Sequence, residues 1–123
     1  MPLIESNDII PEAFVRTGCS KIDILPGQVL FYEKFQPIGY YYLLSGKVKV
    51  MKELSEGREK MMGILTGGQF LGIKDYLSGL AYKFTAIALD STQVIFISHA
   101  KHSTLIKEDF FSTLLSQADV WRK

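Results

Sequence analysis

From residue 20 to residue 98 the apolar residues fall in runs too short for helices, and several of these runs alternate with polar ones. Lys47-Val48-Lys49-Val50 has a period of two, which puts Val48 and Val50 on one face and the lysines toward solvent. Lys21 to Ile24 alternates in the same way. Val29 to Tyr32, Tyr40 to Leu44, Lys60 to Leu65, Phe84 to Leu89 and Gln93 to Ser98 complete the strand candidates. Turn residues separate them: Pro26-Gly27, Ser45-Gly46, Ser55 to Arg58 with Gly57, Gly67-Gly68 and Asp90-Ser91. The stretch from Gln69 to about Lys83 shows no clear period and is expected to be irregular. At both ends the pattern becomes helical. Residues 8–17 predict a short helix stopped by Gly18, and Ser98 is placed to cap another running to Ile106. A further helix begins near residues 107–109, with Phe110, Phe111, Leu114, Leu115, Ala118 and Trp121 at spacings of three and four.

Many short strands at regular spacing predict a mainly β fold, a closed roll or sandwich that hides its edges. The chain divides into an N-terminal helical segment (1–19), a β-roll (20–98) and C-terminal helices (99–123) of a single domain. The last helix has two readings: packing on its own roll, or dimerisation, since a roll filled by its own strands has little core left to offer. Its pattern ends at Trp121-Arg122-Lys123 with no capping signal, as though cut short.

Composition narrows the function. The 123 residues are 47% hydrophobic and 22% charged, which suits a globular domain and not a disordered one. Fourteen Lys+Arg against 13 Asp+Glu leave a formal charge of +1, without the basic excess of a module that holds nucleic acid alone. One cysteine, Cys19, can form neither an internal disulfide nor a cysteine-ligated cluster, and it predicts a reducing, cytoplasmic setting. No apolar run approaches the length of a bilayer span, and the first residues do not read as a signal peptide.

Five phrases in order resemble the effector-binding domain of the CRP/FNR superfamily of bacterial transcription regulators. They are Pro26 to Phe31, Tyr42 to Val50, Glu56 to Glu59, Gly67 to Gly72 and Thr85 to Ala88. The resemblance implies a double-stranded β-helix (jelly roll) followed by a long dimerisation helix. It implies a homodimer that meets DNA only through a helix-turn-helix domain absent from this chain. On this reading the chain is the sensor half of a regulator, excised or free-standing. Many members carry a Gly-Asp turn where this chain has Lys34-Phe35, and Gln36 to Gly39 is able to supply the turn instead.

A second departure bears on the effector. In cyclic-nucleotide-binding members an arginine meets the cyclic phosphate, and a glutamate directly after a glycine accepts from the ribose hydroxyl. Here Ile73 follows Gly72, no glutamate lies between Glu59 and Glu108, and no arginine between Arg58 and Arg122. Cyclic AMP and cyclic GMP are therefore not the expected effectors. The segment instead offers Lys74, Asp75, Tyr76, Tyr82, Lys83 and Thr85 around Gly72 and Ile73, and is similar to the branch that senses halogenated phenols. By that resemblance Lys74 and Tyr76 match the lysine and tyrosine contacts of a phenolic anion. A lysine suits a phenolate or carboxylate, and tyrosine an aromatic ring. Period-two spacing sets Lys83 outward and Phe84 inward, and at least one of Tyr40, Tyr41 and Tyr42 must point inward.

Other chemistries lack their residues. A metal-dependent jelly-roll enzyme needs three or four converging ligands, whereas His99 and His102 lie beyond the last strand. No nucleophile stands in a recognisable triad setting, and no pair of axial haem ligands is evident. Neither a metal, a cofactor nor enzyme activity is expected. The alternative to a sensor is a degenerate roll acting only as a dimerisation or interaction module. A cavity near Lys74 would favour the sensor, a packed interior the module.

Overall fold

The structure, a computed structural model, describes Phe14, residues 16–117, and Asp119 and Val120. Its strands are β1 (Lys21–Ile24), β2 (Val29–Phe31), β3 (Gly39–Ser45), β4 (Val48–Glu53), β5 (Glu59–Leu65), β6 (Gln69–Leu71), β7 (Thr85–Ala88), β8 (Thr92–Ser98) and the two-residue β9 (Asp119–Val120). After Gly18 the described residues form three α-helices, α1 (Ile73–Ser78), α2 (His99–Leu105) and α3 (Asp109–Gln117), and a 3-10 turn at Ser55–Gly57. The strands form a five-stranded sheet, ordered β1-β8-β3-β6-β9, and a four-stranded sheet, β2-β7-β4-β5. Every pairing is antiparallel except the short β6–β9 contact. This is the mainly β fold that the alternating pattern predicts, in the jelly-roll form that the resemblance implies.

The two sheets differ in what covers them, and the sequence pattern follows from that difference. The four-stranded sheet has one covered face, so β4 turns Val48 and Val50 inward at 0% and 3% exposure while Lys49 stays outside. The five-stranded sheet is covered on both faces. Leu43, Leu71 and Val94 face the roll interior with Val48, Val50, Leu65 and Ala86. Their strand neighbours Tyr40, Tyr42, Leu44, Phe70, Ile95 and Ile97 face the other way, onto Phe14, Leu105 and Phe111. A strand buried on both sides reads as an unbroken apolar run, which accounts for Tyr40 to Leu44 and Val94 to Ile97. Full burial of each such side chain contributes about 1.5–3 kcal/mol.

The helical ends agree with the sequence in part. Ser98 caps α2, its Oγ accepting from the Lys101 N–H at 3.3 Å. Phe14 and Arg16 are helical and the chain turns at Thr17–Gly18, with Gly18 at φ +93°. The rest of the expected helix 8–17 lies outside the described residues. Helix α3 starts where expected but ends at Gln117, and β9 follows rather than a helix continuing to Trp121. The outer face of the five-stranded sheet is also apolar, so the roll offers more core than its strands alone fill. Phe111 takes that place at 0% exposure, with Phe110 and Leu115 packed beside it. The Leu114 side chain, Ala118 and Trp121 lie outside the described residues.

Two local expectations change. The stretch after Gly68 is ordered as β6 and α1, six helical residues being too few to show a period. The early turn falls at Glu33 to Phe35, with Lys34 itself at φ +78°. That backbone costs a non-glycine residue about 1–2 kcal/mol. It is held by the Lys34 N–H donating to the Tyr82 carbonyl at 2.8 Å and the Tyr82 N–H donating to the Phe35 carbonyl at 3.0 Å.

Candidate functional site

Where β6 leaves the five-stranded sheet, the chain makes a tight entry into α1. Gly72 precedes the helix at φ +78° and Gly79 ends it at φ +70°. A Cβ on Gly72 would lie 2.7 Å from the Tyr82 ring, so glycine is needed for both its backbone and its size. Between α1 and the inner face of the four-stranded sheet lies a cavity of about 80 Å³. One ordered water needs about 10–15 Å³ on the same measure, so the space holds several waters or a small organic group. Phe31, Val50, Leu65, Leu71 and Phe84 give it an apolar wall, and Gly72, Lys74, Asp75, Ser78 and Lys83 line the rest.

The charged groups here are unequal. Asp75, on the first turn of α1, is 9% exposed. Its Oδ1 accepts from the Lys83 ammonium at 2.6 Å and its Oδ2 from the Lys83 backbone N–H at 3.2 Å. Lys74 is exposed and, among the described residues, forms no ion pair. A small anion entering the cavity therefore finds an apolar wall for its body and one unpaired ammonium for its charge.

Of the seven residues expected at the site, Gly72, Lys74 and Lys83 meet at this cavity. Lys83 is exposed, as its period suggests, yet it stands at the cavity's edge. Ile73 turns away, into the core with Phe70 and Phe111. Tyr76 also lies on that far face, its ring 5.3 Å from Tyr40 and 5.3 Å from His102. Its hydroxyl shares a 2.5 Å hydrogen bond with His99 Nδ1. Tyr82 is buried and stacked on Phe31 with ring centres 3.9 Å apart, and its hydroxyl donates to the Gly39 carbonyl at 3.0 Å. Burial, with Tyr41 and Asp75 nearby, pushes its ionisation far above the usual range, so it remains a donor. The Thr85 hydroxyl is taken up by the Glu33 backbone N–H at 2.9 Å. The sequence names Asp75 in this segment without a role, and it does not show which apolar residues form the wall. A carboxylate three residues past a glycine was the available signal for Asp75, but its partnership with Lys83 depends on the fold.

Behind α1, Tyr40 shares a 2.7 Å hydrogen bond with His102 Nδ1. Burial raises the Tyr40 ionisation, and burial together with His99 lowers that of His102. One tyrosine–histidine bond, Tyr76–His99, thus joins α1 to α2, and the other, Tyr40–His102, joins β3 to α2. Among the described residues no cluster of histidine, cysteine and carboxylate groups is arranged to hold a metal, and no helix is long and apolar enough to cross a membrane. Cys19 is a buried free thiol.

Comparison with known proteins places this geometry in context. A family model for the cyclic nucleotide-binding domain matches residues 21–109. Among solved structures, the catabolite activator protein of Thermus thermophilus superposes with a TM-score of 0.73 at 18% identity, covering 93% of this chain and 52% of that one. The N-terminal domain of a transcriptional regulator from Streptomyces coelicolor A3(2) gives 0.69 at 22% identity, covering 88% and 78%. A cAMP-bound form of the EAL enzyme Bd1971 gives 0.64 at 18% identity, covering 80% and 26%. The chain thus spans about half the length of the Thermus protein it resembles. No curated protein sequence matches it.

Proposed function

The chain belongs to the cyclic nucleotide-binding domain family, and from that premise we propose that it is the effector-binding domain of a CRP/FNR-type transcription regulator. Its effector is a small aromatic or phenolic anion, in the manner of the halophenol-sensing branch, and not cyclic AMP or cyclic GMP. The domain binds and does not catalyse. It works as a homodimer through its C-terminal helix and reaches DNA through a helix-turn-helix domain elsewhere in the regulator.

The composition of the cavity carries this reading. Its wall is apolar, its cations are lysines, and neither an arginine nor a glutamate lines it. A cyclic phosphate is held best by a planar fork of donors, and a lysine presents only a point charge. The position directly after Gly72 bears an isoleucine that faces the aromatic core, so no carboxylate there meets a ribose hydroxyl. The family fold with a changed site supports a changed effector. Binding then acts on transcription through the effector's different affinity for two dimer arrangements.

Calorimetric titration tests the reading. The purified domain should bind at least one member of a chlorinated-phenol panel, Lys74→Ala should weaken that binding, and cyclic AMP and cyclic GMP should give no saturable heat. Saturable binding of a cyclic nucleotide, or phenol binding indifferent to Lys74→Ala, rejects it. Failure of the whole phenol panel favours the other role, a roll that serves only in dimerisation or protein interaction.

A further inference from the structure

The charged pair at the cavity has an arrangement that a simple surface ion pair lacks. Both oxygens of Asp75 are directed to one residue, Oδ1 to the Lys83 ammonium and Oδ2 to the Lys83 backbone N–H. The Asp75 side chain is 12% exposed and that of Lys83 51%, so the carboxylate is the enclosed partner and the ammonium reaches out toward solvent. Both residues line the cavity, as does Lys74. The two bonds tie the loop before β7 to α1, and they also commit one of the site's two ammonium groups. An anion arriving in the cavity meets Lys83 already neutralised and the Asp75 carboxylate beside it.

Like charges at a few ångströms repel more strongly as water is excluded, and a site discriminates by repulsion as well as by attraction. We infer that Asp75 is a specificity-determining residue: a built-in counter-anion that withholds Lys83 from the ligand, leaves Lys74 as the available cation, and selects ligands with one negative charge over phosphate-type dianions. The inference rests on the proposed reading of the cavity as an anion site. It adds the number of charges that the site accepts and the residue that sets it. An enclosed carboxylate in a purely structural role would not change which of two anions is preferred.

The test compares two probes that share an aromatic ring, 2,4,6-trichlorophenol and phenyl phosphate. They are titrated calorimetrically at mildly alkaline pH, where the phosphate is a dianion. In Asp75→Asn the ratio of the two affinities should move toward phenyl phosphate by about tenfold, the effect of one further available ammonium. Adding Lys83→Met to that variant should abolish the shift. Near-ultraviolet circular dichroism checks that each variant is folded, and Asp75→Ser serves where the asparagine variant is not. A folded charge-removed variant with an unchanged ratio overturns the inference, as does a shift that survives Lys83→Met. Absence of phenol binding in every variant defeats the proposed effector instead, and phenyl phosphate affinity alone then decides the part played by Asp75.

Discussion

The two faces of helix α1 have been put to opposite uses. On one side, Ile73 and Tyr76 pack against the aromatic cluster of Tyr40, Phe70, His102 and Phe111. On the other, Lys74, Asp75 and Ser78 border a cavity whose far wall is the inner face of the four-stranded sheet. Six residues therefore separate a packed aromatic region from an open, charged one. A rigid backing with an unfilled front is what a binding site requires: the packed face fixes the helix, and the open face remains free to meet a ligand. The contrast also explains why Tyr76, near Lys74 in sequence, lies on the other side of the helix.

Substitutions that strike one side only give the comparison its sharpest test. Phe70 is fully buried and touches the rings of Tyr40, Tyr42 and Phe111. Phe70→Ala should destabilise the domain by about 3–5 kcal/mol in urea unfolding. Lys74→Ala, by contrast, should stay within about 0.5 kcal/mol of the wild type. Equal losses from the two would mean that the faces of α1 are not distinct. Gly72 stands at the junction of both regions, and Gly72→Ala adds a Cβ against Tyr82 to a left-handed backbone. A loss of about 1–3 kcal/mol is expected, with the near-ultraviolet signal of the Tyr82–Phe31 stack altered. A neutral result would show that the entry to α1 is not sterically fixed.

The smallest effect concerns pH. Burial and His99 hold the His102 ionisation below its ordinary value of 6.5. The unfolded chain therefore takes up the proton first as pH falls, so stability drops below that value and levels off once folded His102 is also protonated. Unfolding curves across this window should show the decline, and His102→Gln should flatten it. An equally steep decline in that variant would assign the pH dependence to other groups.

Much of the roll was legible because a strand states its burial directly. Val48 and Val50 alternate with lysines where one face is covered, and Tyr40 to Leu44 form an unbroken run where both are. The site was only partly legible. Lys74, Gly72 and Lys83 do meet at one cavity, but Tyr82 occupies the space left by Gly72 and makes its own backbone bond. Helix α1 was too short to declare its faces. The bonds from Tyr76 to His99 and from Tyr40 to His102 join residues 23 and 62 positions apart, which no local pattern displays. Phe111 has a helical spacing that suits either a dimer or a domain core, and the covered outer face of the five-stranded sheet is what draws it inward.

Amide chemical-shift mapping of the isotope-labelled domain tests the central claim, a small-anion site in front of α1 backed by a packed face. Titration with a chlorinated phenol should perturb the amides of Leu71 to Ser78, Lys83 and Phe84 in a saturable way. Those of Leu105 and Phe111 should move far less, and cyclic AMP should leave the spectrum unchanged. Saturable shifts with cyclic AMP, or phenol-induced shifts centred on the aromatic face, would contradict it.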